Sequence, residues 1–353
     1  MSNFKTHLYD EHVQLNAKIV PFAGWDMPVQ YTSVKDEVNA VRQSVGMFDV
    51  SHMGEFTVTG VDALKFVNHI LTNDITLAEN GKAIYSPLCR EDGTVIDDLI
   101  VYKFSSERIF ICVNASNIEK DFSWMQSQVC GFNCELVNKS QDYSLIALQG
   151  PKSFEVLQSI FPELSDIEYY SVLEMDNFIF ARTGYTGEDG FEIFGNHKDI
   201  IKLWKDLLSK GVTPCGLASR DVLRLEVCYP LYGHELNDEL TPYDAALGWT
   251  VKLAKENFIG KAALAPKPVK YKLVKLMLDK GIPRDGYPVL NGAGTVIGTV
   301  TSGTMSVTLN KGIAFARIDI DKVPADDVFL VDIRNKQYQA TLIKKSFVTG
   351  GHK

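Results

Sequence analysis

Two adjacent acids, Asp97 and Asp98, stand inside an apolar run that reads Thr94-Val95-Ile96-Asp97-Asp98-Leu99-Ile100-Val101-Tyr102. An ionised carboxylate taken out of water costs several kcal/mol unless something pairs with it, so acids in a Val/Ile strand call for a reason. Successive strand side chains point to opposite faces, which puts Asp97 with Val95, Leu99 and Val101, and Asp98 with Ile96, Ile100 and Tyr102. Asp97 can cap the turn at Gly93, which leaves Asp98 as the acid that needs a partner, either a structural network or a ligand. Two further pieces could share its chemistry: the loop Arg182-Thr183-Gly184-Tyr185-Thr186-Gly187-Glu188-Asp189-Gly190-Phe191-Glu192 and the run Gly216-Leu217-Ala218-Ser219-Arg220-Asp221. The loop's glycines would let backbone approach a ligand closely, and Tyr185 offers a flat face and a phenol. Glu192, opening a strand with Phe191 and Ile193, offers a carboxylate that a guanidine-like edge would satisfy in bidentate fashion. The competing reading of the loop is a surface turn with solvated acids.

These pieces need elements to hold them. Ser33 and Asp36 form a capping box that opens a helix keeping Val34, Val38, Val41 and Val45 on one face, with Gly46 closing it. Further helices follow Ser116 and Glu119 (Ile118, Phe122, Met125, Val129), start at Pro151 (Phe154, Leu157, Phe161), and carry Ile200, Trp204 and Leu208. Strands are expected at 56–59, 96–102, 110–113, 145–148 and 178–182. Prolines at 266 and 268 break any helix begun near Asn257 and mark a domain boundary. Beyond them strands at 272–278, 295–301, 313–318, 328–333 and 337–343 read as a small barrel or sandwich.

Composition removes several function classes. The chain has 353 residues and a formal charge of −8, which argues against nucleic acid or an anionic membrane as the main partner. No stretch approaches the ~18 uncharged apolar residues of a spanning helix. Charges between Met1 and Gln14 fall where a signal peptide would be apolar, and a cytoplasmic location is expected. The six cysteines lack paired C-x-x-C spacing, so neither a zinc site nor a disulfide scaffold is expected. The histidines offer no metal-binding pair, and His52 reads as a packed side chain. Gly292, Gly294 and Gly298 fit a hairpin turn rather than a dinucleotide loop, and no serine occupies a G-x-S-x-G elbow.

Longer motifs carry a resemblance. Phe22-Ala23-Gly24-Trp25, Gly46-Met47-Phe48-Asp49-Val50-Ser51-His52-Met53-Gly54, Gly81-Lys82-Ala83-Ile84-Tyr85, the Asp97-Asp98 strand, Gly184 to Gly190 and Gly216 to Leu225 resemble, in order and spacing, the T-protein family of the glycine cleavage system. The resemblance spans Leu8 to Phe347. It implies an α+β fold, a three-domain cloverleaf around a central hole that holds folate, with a C-terminal β-barrel. The expected division is a folate-binding region over 1–264, made of roughly 1–50 plus 140–264 and of 51–139, followed by a barrel over 269–353. It further implies an aminomethyltransferase that takes an aminomethyl group from the dihydrolipoyl arm of the H protein, releases ammonia and forms 5,10-methylenetetrahydrofolate. Tetrahydrofolate is then the co-substrate, with no metal. The partners would be the lipoylated H protein and, functionally, the glycine decarboxylase and dihydrolipoamide dehydrogenase components, the chain itself being a monomer.

By the same resemblance Asp98 is the catalytic residue, beside the N5 and N10 side of the folate, where it orients or accepts a proton and stabilises a cationic iminium. Tyr85, Tyr102 and Asn114 line that pocket, Tyr169 and Tyr185 contact the folate rings, Glu192 takes the pterin edge, and Arg220 takes polar groups or the anionic tail. Met53 lies where the lipoyl arm enters. An ion pair of Arg220 with Asp221 or Glu226 is the local alternative. Val307 and Ser346 stand where the family usually carries proline, which affects turn geometry in the barrel. Two other functions remain to be distinguished. A demethylating module of the dimethylglycine or sarcosine oxidase kind would come fused to a flavin domain. A non-catalytic folate-binding scaffold would carry a K-G-C-Y-x-G motif where this chain has Arg182-Thr183-Gly184-Tyr185.

Overall fold

The computed structural model describes residues 3–351. It divides into two compact units, one of residues 3–86, 98–221 and 350–351, the other of Pro87–Asp97 and Val222–Thr349. Helices and strands mix throughout, as an α+β chain requires.

Three sheets have strands in the first unit. A five-stranded sheet runs in the order Lys82–Cys89, Val95–Lys103, Arg108–Val113, Gly54–Thr59, Glu135–Asn138. A six-stranded sheet runs Val172–Met175, Phe178–Ala181, Gly190–Gly195, Ser144–Gln149, Gly46–Asp49, Thr213–Pro214. The third has three strands, Phe4–Lys5, Trp25–Gln30 and Lys18–Phe22. In it Ala23 (φ 50) and Gly24 (φ 83) form a two-residue turn with both φ positive, the geometry that matches the twist of a tight hairpin.

The strand at Asp98 follows the alternation rule: Asp97 is fully buried, while Asp98 and Ile100 are half-buried on the opposite face. The Gly93 turn is capped by Asp92, which accepts the Thr94 amide (2.9 Å) and hydroxyl (2.7 Å), and so not by Asp97. Asp97 lies within the field of the Tyr232 phenol, which burial, Asp238 and then Asp97 push upward.

Several helices fall where their apolar stripes predict. Ser33 caps Val34–Gln43 by accepting the Asp36 amide at 3.0 Å, and Ile118–Gln128 and His197–Ser209 cover the other two stripes. Gly46 does not close the first of these. It opens a strand, and a Cβ there would meet Val41 Cγ2 and Cys215 Sγ at 2.7 Å. The helix begun near Pro151 covers only Ser153–Gln158, and Phe161 lies beyond it, because Pro162 disfavours helical backbone at the preceding residue.

In the second unit six strands close a barrel in the order Tyr271–Leu278, Lys311–Asp319, Val296–Ser306, Pro288–Asn291, Phe329–Asp332, Gln337–Ile343. Its interior is mostly aliphatic, with Val274, Leu276, Val300, Ala314 and Ala316 buried beside one large ring, Phe329. The Gly292/Gly294 segment is a hairpin turn, in which the Asn291 side chain accepts the Ala293 and Thr295 amides at 3.1 and 3.0 Å. At the turn bearing Val307, Glu226 accepts the Ser306 hydroxyl (2.7 Å), the Thr308 amide (3.0 Å) and the Thr308 hydroxyl (2.9 Å), so a carboxylate fixes the turn without proline.

A buried knot ties the N-terminal segment to the first unit. Asp49 accepts hydrogen bonds from Thr6 (2.6 Å), His12 Nε2 (2.8 Å) and the Ser51 amide (2.9 Å), while His12 Nδ1 meets the Tyr31 hydroxyl at 2.8 Å. Burial pushes the Asp49 carboxyl up, but the bonds and charge of His12, then Ser51 and Thr6, outweigh it and hold the group at about 2 rather than 3.8. A carboxyl depressed on folding contributes stability that is present above its unfolded value and lost as pH falls through its folded one. The difference here is on the order of 2 kcal/mol. Unfolding by denaturant at pH 5 and at pH 2 should therefore show wild type losing roughly 2 kcal/mol more than Asp49→Asn over that interval; equal losses would show that Asp49 carries no such share.

Candidate functional site

Residues that the sequence singles out come together within the first unit in two hydrogen-bonded groups joined by electrostatics. The first is centred on Asp98. Antiparallel pairing sets Ile100 opposite Cys112, which carries Asn114 alongside Asp98 two residues on. The Asn114 amide donates to Asp98 Oδ1 and to its backbone carbonyl, both at 3.0 Å. The Tyr85 hydroxyl donates to Oδ2 at 2.9 Å. Burial and the neighbouring Asp98 charge push the Tyr85 phenol well up, so it stays a proton donor.

The second group is centred on Glu192, buried on the Gly190–Gly195 strand. The Thr183 hydroxyl donates to its Oε2 at 2.7 Å and the Tyr102 hydroxyl at 3.4 Å. Tyr102 is fully buried, its ring packed edge-on against Phe194 at 5.6 Å, and burial followed by the Glu192 charge keeps its phenol protonated.

Arg220 connects the groups. Its guanidinium lies over the Tyr185 ring, 5.0 Å from the centroid, and 6.0 Å from that of Phe48. Nη1 is buried without a hydrogen-bond partner among the described residues. Burial lowers its basicity, and the charge of Glu192 works against that. Glu226, one of the two acids that the sequence offers Arg220 as an ion-pair partner, accepts from Ser306 and Thr308. Tyr185 and Tyr170 both lie within the field of Tyr85, and Tyr169 packs edge-on against Tyr170 at 4.9 Å. Met53 is half-buried, its amide donating to the Val50 carbonyl at 3.1 Å.

The glycines of the 183–190 loop serve a different purpose from the one their spacing suggests. A Cβ on Gly184 would lie 2.0 Å from Gln149 Oε1, and one on Gly190 would lie 2.5 Å from the Leu148 carbonyl and from Gln149 Nε2. Gln149 is fully buried, donating to the Thr183 carbonyl at 3.1 Å and accepting the Thr186 hydroxyl at 2.7 Å. The loop is thus wrapped around an internal amide. Arg42 fixes its outer edge, donating to the Thr186 carbonyl (2.7 Å) and to Glu188 (2.9 Å). The Gly351 amide also reaches the Gly187 carbonyl at 2.9 Å.

A model described as the GCVT N-terminal domain matches residues 8–255, and one described as the glycine cleavage T-protein C-terminal barrel domain matches 272–349. The chain belongs to the glycine cleavage T-protein family. An aminomethyltransferase of Thermosipho melanesiensis is 47% identical over 99% of this chain and 98% of its own. One of Thermotoga maritima is 46% identical over 98% of each. The crystal structure of glycine cleavage system aminomethyltransferase T from Bartonella henselae superposes with a TM-score of 0.94, at 31% identity and 99% coverage of both chains. The T-protein family is one of aminomethyltransferases, and this chain is a transferase of the glycine cleavage system.

Gln149, behind the loop, carries no local spacing that marks it, and the contacts of Thr183 with Glu192 and of Phe48 with Arg220 are not visible in the motifs that contain them. His52 is packed as expected, its ring edge-on against Phe22 at 5.6 Å. Its imidazole is held neutral, at about 4, by burial and Arg220 against the pull of Asp49, and Nδ1 is buried without a partner among the described residues. Glu55, opposite Cys112, is likewise buried with neither oxygen bonded, and burial keeps it the neutral acid. Close packing behind the loop gives a direct test. Gly190→Ala should cost about 2 kcal/mol in denaturant unfolding, the scale of an overpacked core, and a change below ~0.5 kcal/mol would contradict that packing.

Proposed function

We propose that this T-protein-family chain transfers the one-carbon unit of an aminomethyl group, carried on a dihydrolipoyl sulfur of the H protein, to tetrahydrofolate, with Asp98 as the catalytic residue. The observation that carries the reading is the Asp98 carboxylate gripped on both oxygens by Tyr85 and Asn114 at the half-buried face of its strand.

The residues present suit tetrahydrofolate. A pterin has a flat ring and a guanidine-like edge. Glu192, oriented by the hydroxyls of Thr183 and Tyr102, offers that edge a carboxylate as a bidentate partner. Tyr185 and Tyr169 offer ring faces, and Arg220, with an unpartnered buried Nη1, has a donor left for an oxygen or carboxylate of the ligand. Met53, beside His52, would meet the lipoyl arm.

Tetrahydrofolate would supply two nitrogens that end up bridged by the transferred carbon. The carbon's bonds to sulfur and to the amine break, two carbon–nitrogen bonds form, and the two displaced N–H protons finish on the thiol and on ammonia. No oxidant or reductant is needed. Asp98 contributes by accepting a proton from the attacking nitrogen and by stabilising the positive charge that develops at the carbon. Tyr85 and Asn114 hold the carboxylate in one rotamer, so it need not reorganise during the step.

Three outcomes separate the readings when purified protein is mixed with aminomethyl-loaded H protein and tetrahydrofolate. Methylene-tetrahydrofolate and ammonia appearing together support transfer; folate binding without either supports a scaffold; no binding refutes both. Asp98→Asn keeps the hydrogen-bonding shape but not the charge. It should lower turnover by about 10²–10⁴-fold while leaving unfolding within ~1 kcal/mol of wild type. Full activity in that variant would remove Asp98 from the mechanism.

A further inference from the structure

Arg220 is the least tethered charge of the site, since its guanidinium rests on ring faces and keeps one nitrogen unpartnered. Its position must therefore come largely from the backbone that carries it. That backbone is the first turn of the helix Leu217–Glu226, and the turn is gripped by a carboxylate far away in sequence.

Glu37, on the Val34–Gln43 helix, is fully buried. Its Oε2 accepts the Gly216 amide at 2.9 Å and the Ser219 hydroxyl at 2.8 Å. Its Oε1 accepts the Tyr31 amide at 2.7 Å and the Thr32 amide at 3.2 Å. The Gly216 carbonyl in turn accepts the Arg220 amide at 3.2 Å, so the residue Glu37 holds is the one that anchors the amide of Arg220. Packing reinforces the grip: a Cβ on Gly216 would lie 2.3 Å from the Val29 carbonyl, so backbone rests on backbone there. A negative charge at this end also complements the unpaired amides and dipole of the helix.

We infer that Glu37 is a positioning residue for the folate site, fixing the first turn of the Arg220 helix so that the guanidinium stays over Tyr185 and reaches the ligand. The inference rests on the reading that this site takes tetrahydrofolate. Four donors converge on Glu37, and a glutamine can accept on one oxygen only. Its amide nitrogen would then face a pair of donors, on either the Gly216/Ser219 or the Tyr31/Thr32 side. Glu37→Gln keeps size and shape, yet must displace one of the two segments.

The test is a double-mutant cycle on tetrahydrofolate affinity, measured by direct titration of the full chain as wild type, Glu37→Gln, Arg220→Ala and the double variant. Glu37→Gln should weaken binding about tenfold, and the double variant should bind within twofold of Arg220→Ala, because Glu37 acts through Arg220. A merely structural Glu37 would lower the unfolding midpoint and leave affinity within twofold of wild type, which overturns the inference. So would losses that multiply in the double variant. If Glu37→Gln does not fold, Ser219→Ala takes its place in the cycle; it removes one of the four donors and should weaken binding about threefold, again only while Arg220 is present. Wild type that does not bind tetrahydrofolate at all refutes the functional reading itself, whereas wild type that binds with an additive cycle refutes the role of Glu37 alone.

Discussion

The antiparallel register between Val95–Lys103 and Arg108–Val113 is the constraint on which the site depends. Pairing Ile100 with Cys112 sends Asp98 and Asn114 to the same face of the sheet and Asp97 to the other. A slip of one residue would exchange the two acids and separate Asn114 from its carboxylate. Tyr102 and Phe110 pair one step further along, so the same register places the phenol that meets Glu192. One ladder of backbone hydrogen bonds thus aims the Asp98 carboxylate and brings the Tyr102 phenol to Glu192, which the Gly190–Gly195 strand of a second sheet carries.

Electrostatically the site is a set of acids held by neutral donors. Tyr85 and Asn114 hold Asp98, and Thr183 and Tyr102 hold Glu192, each with a hydroxyl or amide that orients a charge without neutralising it. Glu37 shares that arrangement, whereas two other acids of the first unit meet basic partners. Arg182 spans Asp189 with two bonds of 2.9 and 2.8 Å, and Asp49 is matched with His12. Arg220 complements the pattern as a cation that leans on aromatic faces. Oriented acids beside a guanidinium with a donor to spare suit a ligand carrying both signs.

How much of this could be read from the sequence depended on the range of the interaction. Strand alternation around Asp98 needs only neighbours, and the structure follows it. Capping of the Val34–Gln43 helix by Ser33 is equally local. The C-terminal strands emerged from composition, apart from Pro288–Asn291, whose four residues carry no alternation to detect. The strand Lys82–Cys89 stayed hidden because Pro87 argues against it. The glycines at 184 and 190 were legible as close approach but not as approach to Gln149, more than thirty positions away. Glu37 and Gly216 could not be connected at all, since their contact spans 179 residues and neither local pattern hints at the other.

A structure of the protein with tetrahydrofolate bound tests the central claim most directly. The account expects an Asp98 carboxylate oxygen within hydrogen-bonding distance of the reacting nitrogen side of the ligand, Tyr85 and Asn114 still in place, and Glu192 on the pterin edge. A ligand seated elsewhere, or one seated here with Asp98 turned away toward another side chain, would contradict it.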